Sequence, residues 1–414
     1  IRRVMEAAVK MVMYGCGNIG RGFVGALFAL SGYEVTFIDI ADALVERLHL
    51  ERRYPVRLVS DSGFEDIEIS GVDAVSGRDA ERAAGLIAEA DIMATAVGAN
   101  ALKFIAPVIA AGIRKRFAPG GKPGRPLNII ICENLMDADA VLGGMIRENL
   151  PQEAREKFDR DVGLVEASIG RMVPVQTPEM QAGNPLRVCA ERYGFLPVDR
   201  DAFRGGIPDV KGMVPFSPFG FYIRRKLYVH NMGHAVCAYL GGFAGFEYIW
   251  AAAGNPDIRL VAQNAMLESA LALGARYQVP VRGIIDHIDD LLLRFSNTAL
   301  GDTCRRVGAD PVRKLSPSDR LAGAASFCLE QGVCPAYIAA GAAGAVYQYL
   351  RESGKGQGAG NAAAALESVS ALEPGGRLQR AILEIYGVFL KGGSPADIRG
   401  AAELLRAEEN RDVV

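Results

Sequence analysis

No two cysteines in this chain stand in the C-x-x-C spacing of a zinc ribbon or a redox dithiol. The seven that occur (Cys16, Cys132, Cys189, Cys237, Cys304, Cys328, Cys334) are scattered and odd in number. They read as small buried hydrophobes of a reducing compartment. Cys328 and Cys334 stand apart from any histidine, and no metal site is expected. An excess of one charge sign is also missing: Lys plus Arg is 46, Asp plus Glu is 48, and the net charge is −2 with His neutral. That balance argues against a polyanion such as nucleic acid as the main ligand, while leaving room for a small anion held by a few local arginines. No run of about 18 apolar residues occurs, so no membrane span is expected. Residues 1–10 carry charges throughout and lack the apolar stretch of a secretory signal, which points to the cytoplasm. Because the chain opens on Ile1 rather than Met, its native start is expected upstream.

What is present is an ordinary globular balance, half apolar and 23% charged, in 414 residues, a length that suits two domains. Apolar runs at 10–14, 34–38, 92–97 and 128–132 read as strands. Helical patterns at 21–30, 41–50 and 101–116 alternate with them. Strands and helices alternating at this spacing imply a parallel sheet covered on both faces. The Gly/Pro-rich stretch 119–126 is a loop. Strand-like pieces at 162–166 and 186–190 lie among prolines. From residue 224 onward the pattern is helical: 226–240, 256–277, 284–295, 316–331, 336–351, 361–371 and 378–390. The expected fold is an α/β Rossmann-type domain over 1–205, followed by a mostly α-helical substrate domain over 206–414. Residues 354–360, with glycine at every second position, read as a mobile linker.

The first strand runs into Gly15-Cys16-Gly17-Asn18-Ile19-Gly20, a G-x-G-x-x-G. Such glycines permit a tight turn, close approach of a pyrophosphate and close packing of helix on strand, while the helix N-terminus favours the phosphates. Asp39 closes the next strand, where a carboxylate accepts hydrogen bonds from ribose hydroxyls and repels a 2′-phosphate. No Arg or Lys follows within 40–45, so NAD is expected in preference to NADP.

A second constellation is Lys226-Leu227-Tyr228-Val229-His230-Asn231-Met232-Gly233-His234. On a helix, Lys226, Asn231 and His234 fall within an arc of about 140°. An amine, an amide and an imidazole among apolar neighbours are costly to bury unless they bind something polar. Oxidising an alcohol needs a base for the hydroxyl proton, a role open to a desolvated Lys, and donors for the oxygen left behind. A solvated amphipathic helix is the alternative.

Three stretches together resemble the polyol-specific long-chain dehydrogenases, the mannitol dehydrogenase family. They are the Gly15 to Gly20 turn with Arg21-Gly22-Phe23, Cys132-Glu133-Asn134, and Lys226-Leu227 through Gly233-His234-Ala235. So does Arg294-Phe295-x-Asn297-x-x-Leu300-x-Asp302-x-x-x-Arg306-Val307-x-x-x-Pro311-x-Arg313-Lys314-Leu315. The likeness runs from about residue 11 into the C-terminal region and is greatest to members acting on mannitol 1-phosphate. It implies a Rossmann domain, a helical domain and metal-free catalysis in the cleft between them. It further implies Lys226 as general acid/base, Asn231 and His234 as oxygen stabilisers, and Gly98 and Asn134 close to the cofactor.

Where the family carries Val-Asp-Arg ahead of a proline, this chain has Ile169-Gly170-Arg171-Met172-Val173-Pro174. The carboxylate expected at 170 is absent, and Glu133 and Glu166 are the candidate replacements. The expected reaction is NAD-dependent interconversion of mannitol 1-phosphate and fructose 6-phosphate. The alternatives are an unphosphorylated polyol, a hexuronate (tagaturonate or fructuronate), or a nucleotide-sensing protein without catalysis, which only Gly170 supports. A sugar phosphate needs cations, and Arg294, Arg305, Arg306, Arg313, Lys314 and Arg320 crowd one region, unless they are solvated or paired with Asp302, Asp310 and Asp319.

Overall fold

The structure, a computed structural model, describes residues 9–122 and 124–411. Residues 1–8 of the charged opening segment and Pro123 of the 119–126 loop lie outside the described residues. The chain divides into two compact units, Ile1–Gly220 and Phe221–Val414.

The first unit carries strands β1 (Lys10–Tyr14), β2 (Glu34–Asp39), β3 (Arg53–Ser60), β4 (Gly63–Ser70), β5 (Val72–Ser76), β6 (Ile92–Thr95), β7 (Leu127–Ile131), β8 (Val162–Glu166), β9 (Val188–Glu191), β10 (Leu196–Asp199) and β11 (Met213–Phe216). Six of them form one parallel sheet in the order β5-β2-β1-β6-β7-β8. Each of its faces packs a core. Met11 and Met13 of β1 meet Phe23, Phe28 and Phe37 on one side, while Val12 and Tyr14 meet Ile87, Ile105 and Ile109 on the other. Burial of each such side chain contributes about 1.5–3 kcal/mol, which is why the strands read as continuous apolar runs.

A smaller sheet, β4-β3-β9, combines an antiparallel hairpin with one parallel neighbour, and β10 pairs in parallel with β11. The sequence pattern gave no reading of residues 51–91, which fold as β3, β4, β5 and the helix Ala80–Glu89. Seven of the eight residues of β4 are only partly buried or exposed, so that strand carries little periodicity, whereas β3 alternates, burying Tyr54, Val56 and Leu58. The boundary expected near 205 precedes β11, whose pairing with β10 places it in the first unit.

The second unit is helical. Its centre is Met232–Phe243, buried on most of its circumference and packed on Pro256–Tyr277 and Ala336–Ser353. Close approach explains two glycines there: a Cβ on Gly233 would lie 2.5 Å from Met266 Sδ, and one on Gly341 2.5 Å from Val236 Cγ2. Across the bundle the buried Glu268 accepts from the Tyr337 and Ile338 amides at 2.9 and 3.0 Å, capping Ala336–Ser353. Two expectations change here. The helix expected over 316–331 begins at Ala322, because residues 316–321 form turns after the short helix Pro311–Lys314. The 354–360 connection is tied down: Tyr386 donates to the Gln357 carbonyl at 2.9 Å, and Asn361 donates to Lys355 and Gly356. No described helix is long and apolar enough to cross a membrane.

Candidate functional site

The residues expected to hold NAD gather at the carboxyl ends of neighbouring strands. Gly15, Gly17, Asn18, Ile19 and Gly20 follow β1, Asp39 closes β2, Gly98 follows β6 and Asn134 follows β7. Strand order reverses between β1 and β6, the place where open parallel sheets bind ligands. Gly15 has φ +103, and a Cβ there would lie 2.4 Å from the Ala96 oxygen. A Cβ on Gly20 would lie 2.0 Å from the Gly15 oxygen. Gly17 is exposed, with nothing within 4 Å of its Cβ position, so its side of the loop is open to a ligand. Asn18 donates from Nδ2 to the Pro174 carbonyl at 3.0 Å, and Ile19 packs against the core.

Asp39 is held at both oxygens. Oδ2 accepts from the Cys16 amide at 2.7 Å and Oδ1 from the Ala41 amide at 3.0 Å. A carboxylate so fixed retains lone pairs for ribose hydroxyls and keeps its repulsion toward a 2′-phosphate. Arg78, in the loop after β5, is exposed and paired with Asp42 at 3.3 Å. The native protein is therefore expected to show kcat/KM at least about 10² higher with NADH than with NADPH. Equal values for the two would refute this role of Asp39.

Glu133 is buried, and its two oxygens accept from the Val97 and Gly98 amides at 2.9 and 2.8 Å. It thus shapes the loop that carries Gly98. Glu166 accepts from the Ala138 amide at 2.9 Å; burial, with Asp139 nearby, pushes its pKa up to about 7. At position 170 a Cβ would lie 2.9 Å from Tyr193 Cε1 and 3.3 Å from its hydroxyl, so the family's carboxylate would require the Tyr193 ring to move aside. The neighbouring Arg171 ties two segments together: Nε donates to the Tyr193 carbonyl and Nη1 to the Gly22 carbonyl at 2.9 Å, with the guanidinium 4.7 Å over the Phe23 ring.

In the helical unit, the segment 226–240 expected as one regular helix contains a wide turn, Lys226–Asn231, between Gly220–Arg225 and Met232–Phe243. The Met232 amide bonds to the Leu227 carbonyl, an i→i+5 step. Such a step sets residues five apart above one another, which brings Lys226 and Asn231 closer in azimuth than the 140° arc of a regular helix. His234 follows Asn231 by three residues on the same face. The widened turn thus narrows the arc that the three positions span on the helix.

The His234 ring stacks on Phe295 (4.8 Å between centroids, 13° between planes), and its Nε2 lies 3.7 Å from Asp302 Oδ2, too far for a hydrogen bond. Burial, then Arg306, Arg320, Arg294 and Lys314, push its pKa down to about 3, so the imidazole is neutral. His230 is buried 6.4 Å from the His234 ring. Its pKa is held well below the usual value by burial first, then by Arg294, His234, His287 and Lys226. Folded His230 is neutral while the unfolded chain takes up a proton below about pH 6.5. Wild type is thus expected to lose stability relative to His230→Leu by about 1.4 kcal/mol per pH unit below 6.5. Urea melts of both proteins at pH 7 and pH 5.5 measure this. A difference independent of pH would mean that folded His230 carries the proton.

The cations of 294–320 are mostly paired. Arg306 bonds Asp302, Arg313 spans Asp310 (2.9 Å) and Asp319 (2.8 Å), Arg320 takes Asp319 at 2.8 Å and Arg294 takes Asp290 at 3.3 Å; Arg305 is exposed. Lys314 differs. It is 4% exposed, its ammonium donates to the Ala309 carbonyl, and no carboxylate lies within 4.0 Å of it among the described residues. Burial, with Arg320 and Arg313, pushes its pKa down to about 8. Sequence reasoning missed Arg21, 4% exposed in the turn after the glycine motif, although a lone cation inside an apolar segment was a visible signal. Among the described residues no group of three His, Cys, Asp or Glu is placed to hold a metal ion.

Residues 9–212 match the mannitol dehydrogenase Rossmann domain, and residues 220–372 match the mannitol dehydrogenase C-terminal domain. Among solved structures the chain is similar to a D-sorbitol dehydrogenase in substrate-free form, with TM-score 0.75, 15% identity and 95% of each chain covered. It is similar also to Pseudomonas fluorescens mannitol 2-dehydrogenase in ternary complex with NAD and D-mannitol, with TM-score 0.75, 15% identity, and 97% of this chain and 94% of that one covered. At that identity the likeness speaks for the fold, whereas the two domain matches, consecutive and spanning most of the chain, speak for descent. The chain belongs to the mannitol dehydrogenase family of oxidoreductases.

Proposed function

We propose that the protein is an NAD-dependent polyol dehydrogenase whose substrate pair is a hexitol phosphate and its ketose, mannitol 1-phosphate and fructose 6-phosphate. The observation that supports the dehydrogenase reading is the widened turn at Lys226–Asn231, because helical geometry there narrows the arc over which an amine, an amide and the His234 imidazole are spread. NAD supplies the hydride acceptor. The residues at the crevice fit it: an open Gly17, a helix start after the glycines, and a fixed Asp39 for the ribose. Lys226 takes the hydroxyl proton as the alcohol is oxidised and returns it in reduction. Asn231 Nδ2 and an N–H of the neutral His234 donate to the substrate oxygen, which becomes a carbonyl. A neutral imidazole suits this role, since it holds the oxygen without competing for the proton.

The phosphate preference rests on Lys314, a buried ammonium among arginines that each already hold a carboxylate or face solvent. A second reading, an unphosphorylated polyol, is favoured by the similarity to a mannitol 2-dehydrogenase solved with D-mannitol. NADH oxidation assayed against fructose 6-phosphate, fructose, tagaturonate and fructuronate separates these. Turnover of fructose 6-phosphate is expected; activity on a hexuronate alone would discard the polyol reading, and no activity on any ketose would return the protein to nucleotide sensing.

A further inference from the structure

We propose that Arg21 is a positioning residue for the dinucleotide loop, aiming the Gly17 N–H at the cofactor's pyrophosphate. The proposal rests on the dinucleotide reading of the crevice and adds to it a buried support. Cys16, inside the glycine motif, is gripped on both sides: Asp39 Oδ2 accepts from its amide at 2.7 Å, and Arg21 Nε donates to its carbonyl at 2.6 Å. In a trans peptide the C=O and the following N–H point in opposite directions. Drawing the Cys16 carbonyl inward therefore turns the Gly17 N–H outward, to the side where Gly17 is exposed and no atom stands within 4 Å of its Cβ position. The outward N–H is a donor placed before the phosphate arrives, and such pre-placement spares the ordering cost of binding.

Arg21 is itself held from behind. Its Nη1 donates to the Leu186 carbonyl ahead of β9, and the Tyr54 hydroxyl of β3 donates to the Arg21 carbonyl at 2.8 Å. The smaller sheet is thus the anchor of the nucleotide loop, which gives the β3–β4–β9 insertion a task in cofactor binding. A guanidinium 4% exposed, with no carboxylate within 4.0 Å among the described residues, is an expensive way to fill space that a methionine could occupy. What sets Arg21 apart from a merely structural buried arginine is its place, on the carbonyl of the glycine motif.

Arg116 supplies an internal control. It is 1% exposed and donates to the carbonyls of Ala88, Ala90, Arg125 and Pro126, at the amino ends of β6 and β7, away from the glycine loop. The experiment is NADH titration by fluorescence, with thermal melts and steady-state kinetics, on wild type, Arg21→Met, Arg21→Lys and Arg116→Met. Arg21→Met is expected to raise the NADH Kd at least about tenfold, with the ketose KM and kcat at saturating NADH changed less than about threefold. Arg21→Lys, whose amine still reaches one carbonyl, should recover part of the affinity. Arg116→Met should lower the melting temperature and leave the Kd within about twofold of wild type. An Arg21→Met protein that melts cooperatively and binds NADH as wild type does would overturn the proposal. So would equal Kd changes in Arg21→Met and Arg116→Met, or failure of both Arg21 variants to fold, since each makes Arg21 a core residue only. Wild type that binds no NADH would instead remove the dinucleotide reading, and this role with it.

Discussion

Lys226→Ala is expected to slow the chemical step by about 10²–10⁴-fold, or about 2.7–5.4 kcal/mol of barrier, with NADH affinity nearly unchanged. The asymmetry follows from where Lys226 stands. It begins the widened turn of the helical unit, whereas the glycine motif and Asp39 belong to the other compact unit. A base acts on the hydroxyl proton in the transition state, so its loss appears in kcat more than in cofactor binding. Lys226→Arg should be nearly as slow, because a guanidinium keeps the charge and cannot give up its proton near neutral pH. Single-turnover NADH oxidation is the measurement. Wild-type-like rates for Lys226→Ala at pH 7 would take Lys226 out of the mechanism.

Fructose 6-phosphate should exceed fructose in kcat/KM by on the order of 10²-fold or more, equivalent to about 2.7 kcal/mol of recognition. A phosphate dianion leaving water needs a fixed cation. Arg294, Arg306, Arg313 and Arg320 each already hold a carboxylate, so most of their field is spent before the ligand arrives. Lys314 is the buried exception. Lys314→Met is therefore expected to abolish most of the phosphate advantage while changing kcat/KM for fructose little. The pH dependence has a definite sign: Lys314 is charged below its pKa of about 8, so the advantage is present there and shrinks as pH rises through 8. Comparable kcat/KM for the two sugars in wild type would reject the phosphate preference and leave the dehydrogenase reading in place.

Much of the first unit was legible because buried parallel strands need apolar residues on both faces, and the runs at 10–14 and 128–132 show it. Strand β4 was not, since Phe64, Glu65 and Asp66 are exposed in sequence and alternation fades where neither face is covered, whereas the alternation of Tyr54, Val56 and Leu58 in β3 was a signal left unread. In the helical constellation, the widened turn was not legible. The i→i+5 step at Met232 stands where the buried helix begins, and the pattern of residues 226–234 is equally compatible with a regular turn.

Chain order alone determined the motifs that depend on local spacing: the glycine turn, the acid closing β2, and the Lys226/Asn231/His234 set, all of which the backbone brings within a few residues or one βα step. The tertiary structure decided what depends on partners distant in the chain. Gly170 leaves space that Tyr193 fills, Glu133 is committed to the amides of Val97 and Gly98, and Arg21 finds the Leu186 carbonyl. Of the cations at 294–320, packing chose which meet a carboxylate and left Lys314 buried with a carbonyl. The physical reason is that a charge or a void is settled by whatever the fold carries into contact with it, and that contact has no counterpart in sequence spacing.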